Sequence, residues 1–407
     1  MTKARRFLLP VGAAVVAAVT VHCGLLGDPG EYASGGEEPV EASIEASPPS
    51  DATMLPETVV LPDGNVVPSS IGTLALMAGE RQPTSAEDDP AWSADAWSGI
   101  LSADGHVASW RIEPSAPIVG SFDSAGLVGN AWVMINIGFG LAGNRGTAIQ
   151  STTWTPGIVG DWRAARANGA PGGLDEFTRS FIGNRIAYVG GTRTNPGVDG
   201  GPATTFFTRE VHLATVDVAK NELGPSANAN QDLVVARSRA SVLFSGTSLY
   251  VVSGRAAAGL TASVEMAKVD VVAGTVAAFA EQPPLLNAGA EHKIFLPNLV
   301  AAEGYLFVAG GRTSAANAPT DIVLSAKIGA DGTLGPFQNV TVLPKPLRDF
   351  ALVGFKGKLY VAGGMGATTR SDEVFSTTIG ADGKLGAWDP SNAKLPGARS
   401  NFVAQAY

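Results

Sequence analysis

A chain of 407 residues is long enough for two or three ordinary domains, but its net charge of −9 points away from nucleic acid, whose binding proteins carry a basic stripe. Glycine is abundant at 50 residues while aromatics make up 7%, which suits many short strands joined by tight turns and argues against a helical protein. A single cysteine excludes an internal disulfide and a thiolate metal cluster built from one chain.

In chain order, Lys3, Arg5 and Arg6 form a positive start to an apolar run over 7–21, too short for the about 20 residues of an ordinary membrane span. Residues 1–23 are therefore predicted to be a secretory signal. Cys23, directly after this run, resembles the acylated residue of bacterial lipoproteins, with His22 standing where a small residue is usual. The resemblance implies lipidation at Cys23 and, with Gly24 next, sorting to the outer membrane, on its periplasmic or its surface side. A cleaved soluble chain or an uncleaved anchor is the alternative. Residues 24–57 follow, with Asp28, Glu31, Glu37, Glu38, Glu41, Glu45, Asp51 and Glu57 and no Lys or Arg. Almost nothing there is apolar enough to offset the entropy of ordering, so this segment is expected to be a disordered acidic tether.

From residue 58 to 407 one motif keeps returning. It reads Gly105-His106-Val107-Ala108-Ser109-Trp110, Gly157-Ile158-Val159-Gly160-Asp161-Trp162, Gly274-Thr275-Val276-Ala277-Ala278-Phe279, Gly332-Thr333-Leu334-Gly335-Pro336-Phe337 and Gly383-Lys384-Leu385-Gly386-Ala387-Trp388. A weaker copy starts at Asn221, a residue that also tolerates a left-handed turn position. Each is preceded by an apolar strand ending in glycine, clearest in Leu359-Tyr360-Val361-Ala362-Gly363-Gly364 and Leu306-Phe307-Val308-Ala309-Gly310-Gly311. An Asp-Gly step then joins a third strand tightly to a fourth. A period of about 50–65 residues means an array of equivalent units.

Four-stranded units with a glycine pair and a later tryptophan resemble kelch repeats, here without the regular tyrosine between them. The resemblance implies an all-β, six-bladed kelch-like β-propeller, with seven blades as the alternative if the segment around Val60-Leu61-Pro62 forms one. The last segment, from Arg399 to Tyr407, has an inner-strand pattern with no successor, and the first copy starts at a second strand. The C-terminal strand is thus expected to complete the N-terminal unit, leaving few exposed edges.

In such a fold the loops after second strands and before first strands share one face. Arg81, Arg193, Arg255 and Arg312 follow strand-end glycines, while Arg239, Arg348 and Arg399 precede or open inner strands. Two expectations follow: a positive face that grips an anionic group with guanidinium forks, or arginines paired off with acids of neighbouring units. The long loops 82–97, with Trp92 and Trp97, and 192–208 are the other candidates for protein or glycan contact. No catalytic residue, metal site or cofactor is assigned: His106, His212 and His292 stand apart in sequence, and no nucleophile elbow or phosphate loop occurs. A copper-radical oxidase, known on kelch-like propellers, needs a crosslinked cysteine that the body lacks. The leading expectation is a monomeric, lipid-anchored envelope protein that binds a protein or glycan ligand. The alternatives are an enzyme on anionic sugars resembling sialic-acid mutarotases, with Arg239, Arg348 and Arg399 on a carboxylate and Asp349 or Glu80 as base, and a structural envelope protein.

Overall fold

The computed structural model describes residues 59–60, 66–67, 72–77, 79–81, 93–116, 122–128, 131–137, 147–155, 158–167, 171–195, 203–313 and 317–406. The signal, Cys23 and the acidic segment 24–57 lie outside the described residues. Every regular element among those described is a strand.

The repeat unit is an antiparallel meander. In the fifth sheet Asn298–Ala302, Tyr305–Ala309 and Val323–Lys327 lie side by side, with Gln338–Asn339 at the outer edge. The second strand is apolar and buried along its length because it is covered by sheets on both faces. Six sheets of this kind occur among the described residues. Their inner strands, Val403–Ala406, Phe122–Val128, Thr178–Ile182, Ser241–Ser245, Asn298–Ala302 and Ala351–Phe355, touch one another in that order and back to the start, an unbroken circle.

The circle is closed by chain ends. Val403–Ala406 pairs antiparallel with Gly72–Met77, so the last strand becomes the innermost strand of the first sheet. Arg399–Ser400 pairs in the same way with Glu80–Arg81. The expected completion of the N-terminal unit is what the structure shows. Val59–Val60, in the segment considered for a seventh unit, forms a hairpin with Val66–Val67.

The recurring motif explains how neighbouring sheets fit. Its first residue takes positive φ at Gly105, Asn221, Gly274, Gly332 and Gly383. The preceding Asp holds the turn: Asp331 Oδ1 accepts from Thr333 N at 3.0 Å and Asp382 Oδ1 from Lys384 N at 3.1 Å. The turn then sits on the second strand of the preceding sheet. A side chain at Gly383 would collide with the Tyr305 ring, and one at Gly105 with Lys358. The carbonyls are bound as well: Tyr250 Oη donates to Gly332 O at 2.7 Å, and Tyr360 Oη to Gly105 O at 2.8 Å. Phe307 occupies the corresponding place in the fifth sheet and has no hydroxyl; there Ser325 Oγ donates to Gly383 O at 3.0 Å.

The closing aromatic completes the joint. The indole of Trp110 donates to Ala393 O at 2.9 Å, that of Trp162 to Pro114 O at 2.9 Å and that of Trp388 to Val342 O at 2.7 Å, each a carbonyl of the preceding unit. Phe279 and Phe337 keep the apolar half of the contact and are buried. Burial of each such ring contributes roughly 1.5–3 kcal/mol, and the indole bond adds about 1 kcal/mol.

Because closure rests on two short strands within 399–406, deleting 399–407 is expected to replace the cooperative melt by a broad, low-temperature transition. Differential scanning calorimetry checks this; an unchanged sharp melt would count against closure.

Candidate functional site

The candidate site lies where inner strands begin and second strands end. The glycine pair that ends the second strand of the third, fifth and sixth sheets is required by this crossing. A Cβ on Gly363 would lie 2.7 Å from the Arg399 carbonyl oxygen and 2.8 Å from the Phe402 ring of the next unit. One on Gly364 would lie 2.6 Å from Phe350 of its own unit. The first glycine thus makes room for the neighbour and the second for the sheet's own lead-in.

The lead-in itself has a feature the sequence did not announce. Glu176, Arg239, Leu296, Asp349 and Asn401 all have φ between 50° and 56°. They stand at the same place in five units, just before the inner strand. The left-handed turn brings the peptide N–H of one against the carbonyl of the previous one: Arg239 N to Glu176 O at 3.1 Å, Leu296 N to Arg239 O at 3.2 Å and Asn401 N to Asp349 O at 2.9 Å. It also interrupts the strand, which is why the pattern predicted from Arg348 and Arg399 onward becomes regular only at Ala351 and Val403.

The arginines stand around this ring. Arg312 Nη2 lies 2.8 Å and Arg348 Nη1 2.6 Å from the same oxygen, Asp349 Oδ2, and the carboxylate is 1% exposed. Arg348 also donates to Met365 Sδ at 3.1 Å, and Arg312 to Asn317 Oδ1 at 3.4 Å. The Nε of both guanidiniums is buried without a hydrogen-bond partner. Arg399 Nη2 binds Asp95 at 2.8 Å, and its guanidinium stacks 3.8 Å above the Trp97 ring. Burial pushes the Arg399 pKa down, Asp95 opposes this, and nearby Arg81 adds to it. Glu80 pairs with Arg370 and accepts from Asn401 Nδ2 at 3.3 Å.

Elsewhere on the ring, Arg193 grips both oxygens of Glu210 at 2.6 Å and holds that carboxyl down at about 2. Arg239 binds Glu176 at 2.6 Å. Arg81 and Arg255 are exposed. A uniformly positive face is therefore not what forms: most of these arginines have taken a carboxylate from the same or a neighbouring unit, while Arg81 and Arg255 face solvent.

Three expectations need correction. Trp97 is buried at 5% exposure beneath Arg399, because its strand, Ala96–Leu101, is an interior strand of the first sheet, so it offers no platform to a ligand. Trp92 lies outside the described residues. The stretch 192–208 is not a plain loop: Thr192–Asn195 pairs with Thr204–Phe207 and with Leu174–Asp175, a small sheet whose Thr and Phe residues favour strand. His106 and His212 are not isolated, since each meets acids in space, Asp104 and Asp389 for the first and Glu210 for the second. Sequence reasoning also missed Arg370, Asp95 and Arg237. The last forms a fully buried pair with Glu265, whose oxygens also accept from Val234 N and Val235 N.

No family model matches the chain, and no curated protein does. Among solved structures it is similar to YjhT, at 16% identity and a TM-score of 0.50 over 71% of this chain and 88% of that one. The circle of antiparallel sheets and this likeness agree. The fold is a β-propeller. At such identity the likeness speaks for the propeller alone, and the site must be judged on its own side chains.

Asp349→Asn keeps a residue suited to positive φ while removing the charge between the buried Arg312 and the half-buried Arg348 guanidiniums. A loss of stability on the order of 3–5 kcal/mol is expected, read from urea melts of the two proteins; equal midpoints would show that the pair is not held as described.

Proposed function

We propose that this propeller is an envelope-tethered binding protein that receives an anionic group, a carboxylate foremost, on its ring of arginines and performs no chemistry of its own. The observation that carries the reading is the charge balance at Asp349. Two guanidiniums share one carboxylate, so one positive charge is left over in a nearly closed setting, with two Nε donors unused. A buried cation short of acceptors is unfavourable. A planar carboxylate offers the acceptors that a guanidinium fork takes best. The exposed Arg81 and Arg255 would favour approach of the same kind of ligand.

Catalysis is supported less well by the same geometry. A general base needs an oxygen open to the proton it abstracts. Asp349 is enclosed by Arg312 and Arg348, and Glu80 by Arg370 and Asn401. The mutarotase-like alternative draws on one specific observation, the convergence of two arginines and a carboxylate at a single point. For the address, we read residues 1–23 as the signal, Cys23 as the lipidated residue and 24–57 as the spacer, with the propeller on the periplasmic or outer side of the outer membrane.

Two measurements test this. On arrays of acidic and neutral glycans and in peptidoglycan pull-downs, the protein is expected to retain ligands with carboxylates, with Arg348→Lys weakening binding about tenfold or more because a lysine lacks the fork. NMR exchange between sugar-acid anomers should run at the uncatalysed rate; acceleration would replace the binding reading by the enzymatic one. Separately, Cys23→Ala should abolish incorporation of labelled fatty acid and release the protein from membranes.

A further inference from the structure

The seam between the first and sixth sheets unites strands from opposite ends of the chain, and one of its links is an imidazole. His106 follows Gly105 in the tight turn of the first sheet. Its Nδ1 lies 2.8 Å from Asp104 Oδ2, and its Nε2 lies 2.7 Å from Asp389 Oδ2 at the outer edge of the sixth sheet. Both carboxylates are fixed by other donors: Asp104 by Ser102 Oγ at 2.5 Å and by the His106 N–H at 3.3 Å, Asp389 by the Ser391 N–H at 2.8 Å. An ionised carboxylate only accepts, and a neutral imidazole has one N–H to give. Both contacts are hydrogen bonds at once only when both ring nitrogens carry protons.

We infer that His106 is a proton-operated latch on the closing seam, bridging the first and sixth sheets as an imidazolium and releasing one of its two carboxylates when it becomes neutral. The corresponding positions of the other units hold Ile158, Glu222, Thr275, Thr333 and Lys384, none of which changes charge near neutral pH. The other links of this seam do not titrate there. Asn392 Oδ1 accepts from the Val107 N–H at 2.8 Å, Ala393 N donates to Val107 O at 2.7 Å, and Trp110 binds Ala393 O.

The remaining ionisable groups facing the turn come from the second strand of the sixth sheet. Lys358 packs against Gly105, and Tyr360 stays neutral, its hydroxyl pushed up to about 12 by burial. Asp104 first and Asp389 second raise the His106 pKa above 6.5, against the opposing effect of burial. Hydrogen bonds from Ser391 and then from His106 hold Asp389 down at about 2, and Asp104 is lowered by Ser102 and His106.

The direction of the linkage follows. A raised imidazole pKa contributes stability that is complete below 6.5 and disappears as pH climbs through the folded value. The lowered carboxylates contribute above their ordinary 3.8 and lose it in acid. The latch is therefore fullest between these two values and weakens toward alkaline pH. His292 pulls the other way, since burial lowers its pKa, so a variant is needed to isolate His106.

Hydrogen exchange of the full-length chain, corrected for intrinsic rates, tests the latch at about pH 5.5 and about pH 8.5. Protection of 72–77 and 403–406 is expected to fall at the higher pH in the wild type and to show no such fall in His106→Asn. Equal protection of the wild type at both values, or an undiminished fall in His106→Asn, overturns the inference. Asp389→Asn supplies an independent readout: the His106 imidazole, followed by NMR, should titrate at lower pH than in the wild type. An unchanged titration overturns it too.

Discussion

Everything in this molecule depends on the contact between the turn that ends one sheet's third strand and the second strand of the sheet before it. The turn needs a left-handed residue to reverse in so few positions, and the same residue must have no side chain where Tyr305, Ser248 or Lys358 lies beneath it. Glycine meets both demands. Once the backbone has come that close, its carbonyl faces a buried environment and must find a donor, which Tyr250, Tyr360 and Ser325 supply. Local turn geometry and the joint between units are thus one constraint, and it recurs around the circle.

That constraint is also what made the architecture legible. A residue obligatory for two reasons returns in nearly every unit, so the Asp-Gly turns, glycine pairs and closing aromatics stood out along the chain. The closure was readable because an inner-strand pattern at Phe402-Val403-Ala404 lacked a successor while Leu74 lacked a predecessor. The lead-in residues were not readable. Glu176, Arg239, Leu296, Asp349 and Asn401 share a backbone conformation but no chemistry, because the peptide groups make the hydrogen bonds and the side chains are left to vary. A position defined by its main chain leaves no mark on residue type.

The candidate site shows the complementary limit. Arginines at strand ends were visible, but whether each is available to a ligand depends on partners far away in sequence. Arg399 meets Asp95, Arg370 meets Glu80 and His106 meets Asp389 only because the chain ends meet. Trp97 looked like a loop aromatic beside an acidic stretch. Its strand turned out to be the third of the first sheet, which buries it under a guanidinium. Alternation over Ala96–Leu101 was hidden by small residues that suit a strand covered on both faces.

The charged groups concentrate where the fold has least apolar material to offer. Along the strands, neighbouring sheets are sealed by Leu, Val, Tyr and Phe; at the strand heads the backbone turns left-handed and its polar groups crowd together. Guanidiniums suit this place because one side chain satisfies several carbonyls and carboxylates at once, as Arg237 does with Ser253 O at 2.9 Å, Ser263 O at 3.0 Å and Glu265. The same property that makes arginine a structural solution at the head of each unit makes it a recognition element wherever its partners are too few. In Arg237 and Glu265 the donors and acceptors are nearly matched, and the pair serves the fold. At Asp349 two arginines compete for one oxygen, and a positive charge is left over.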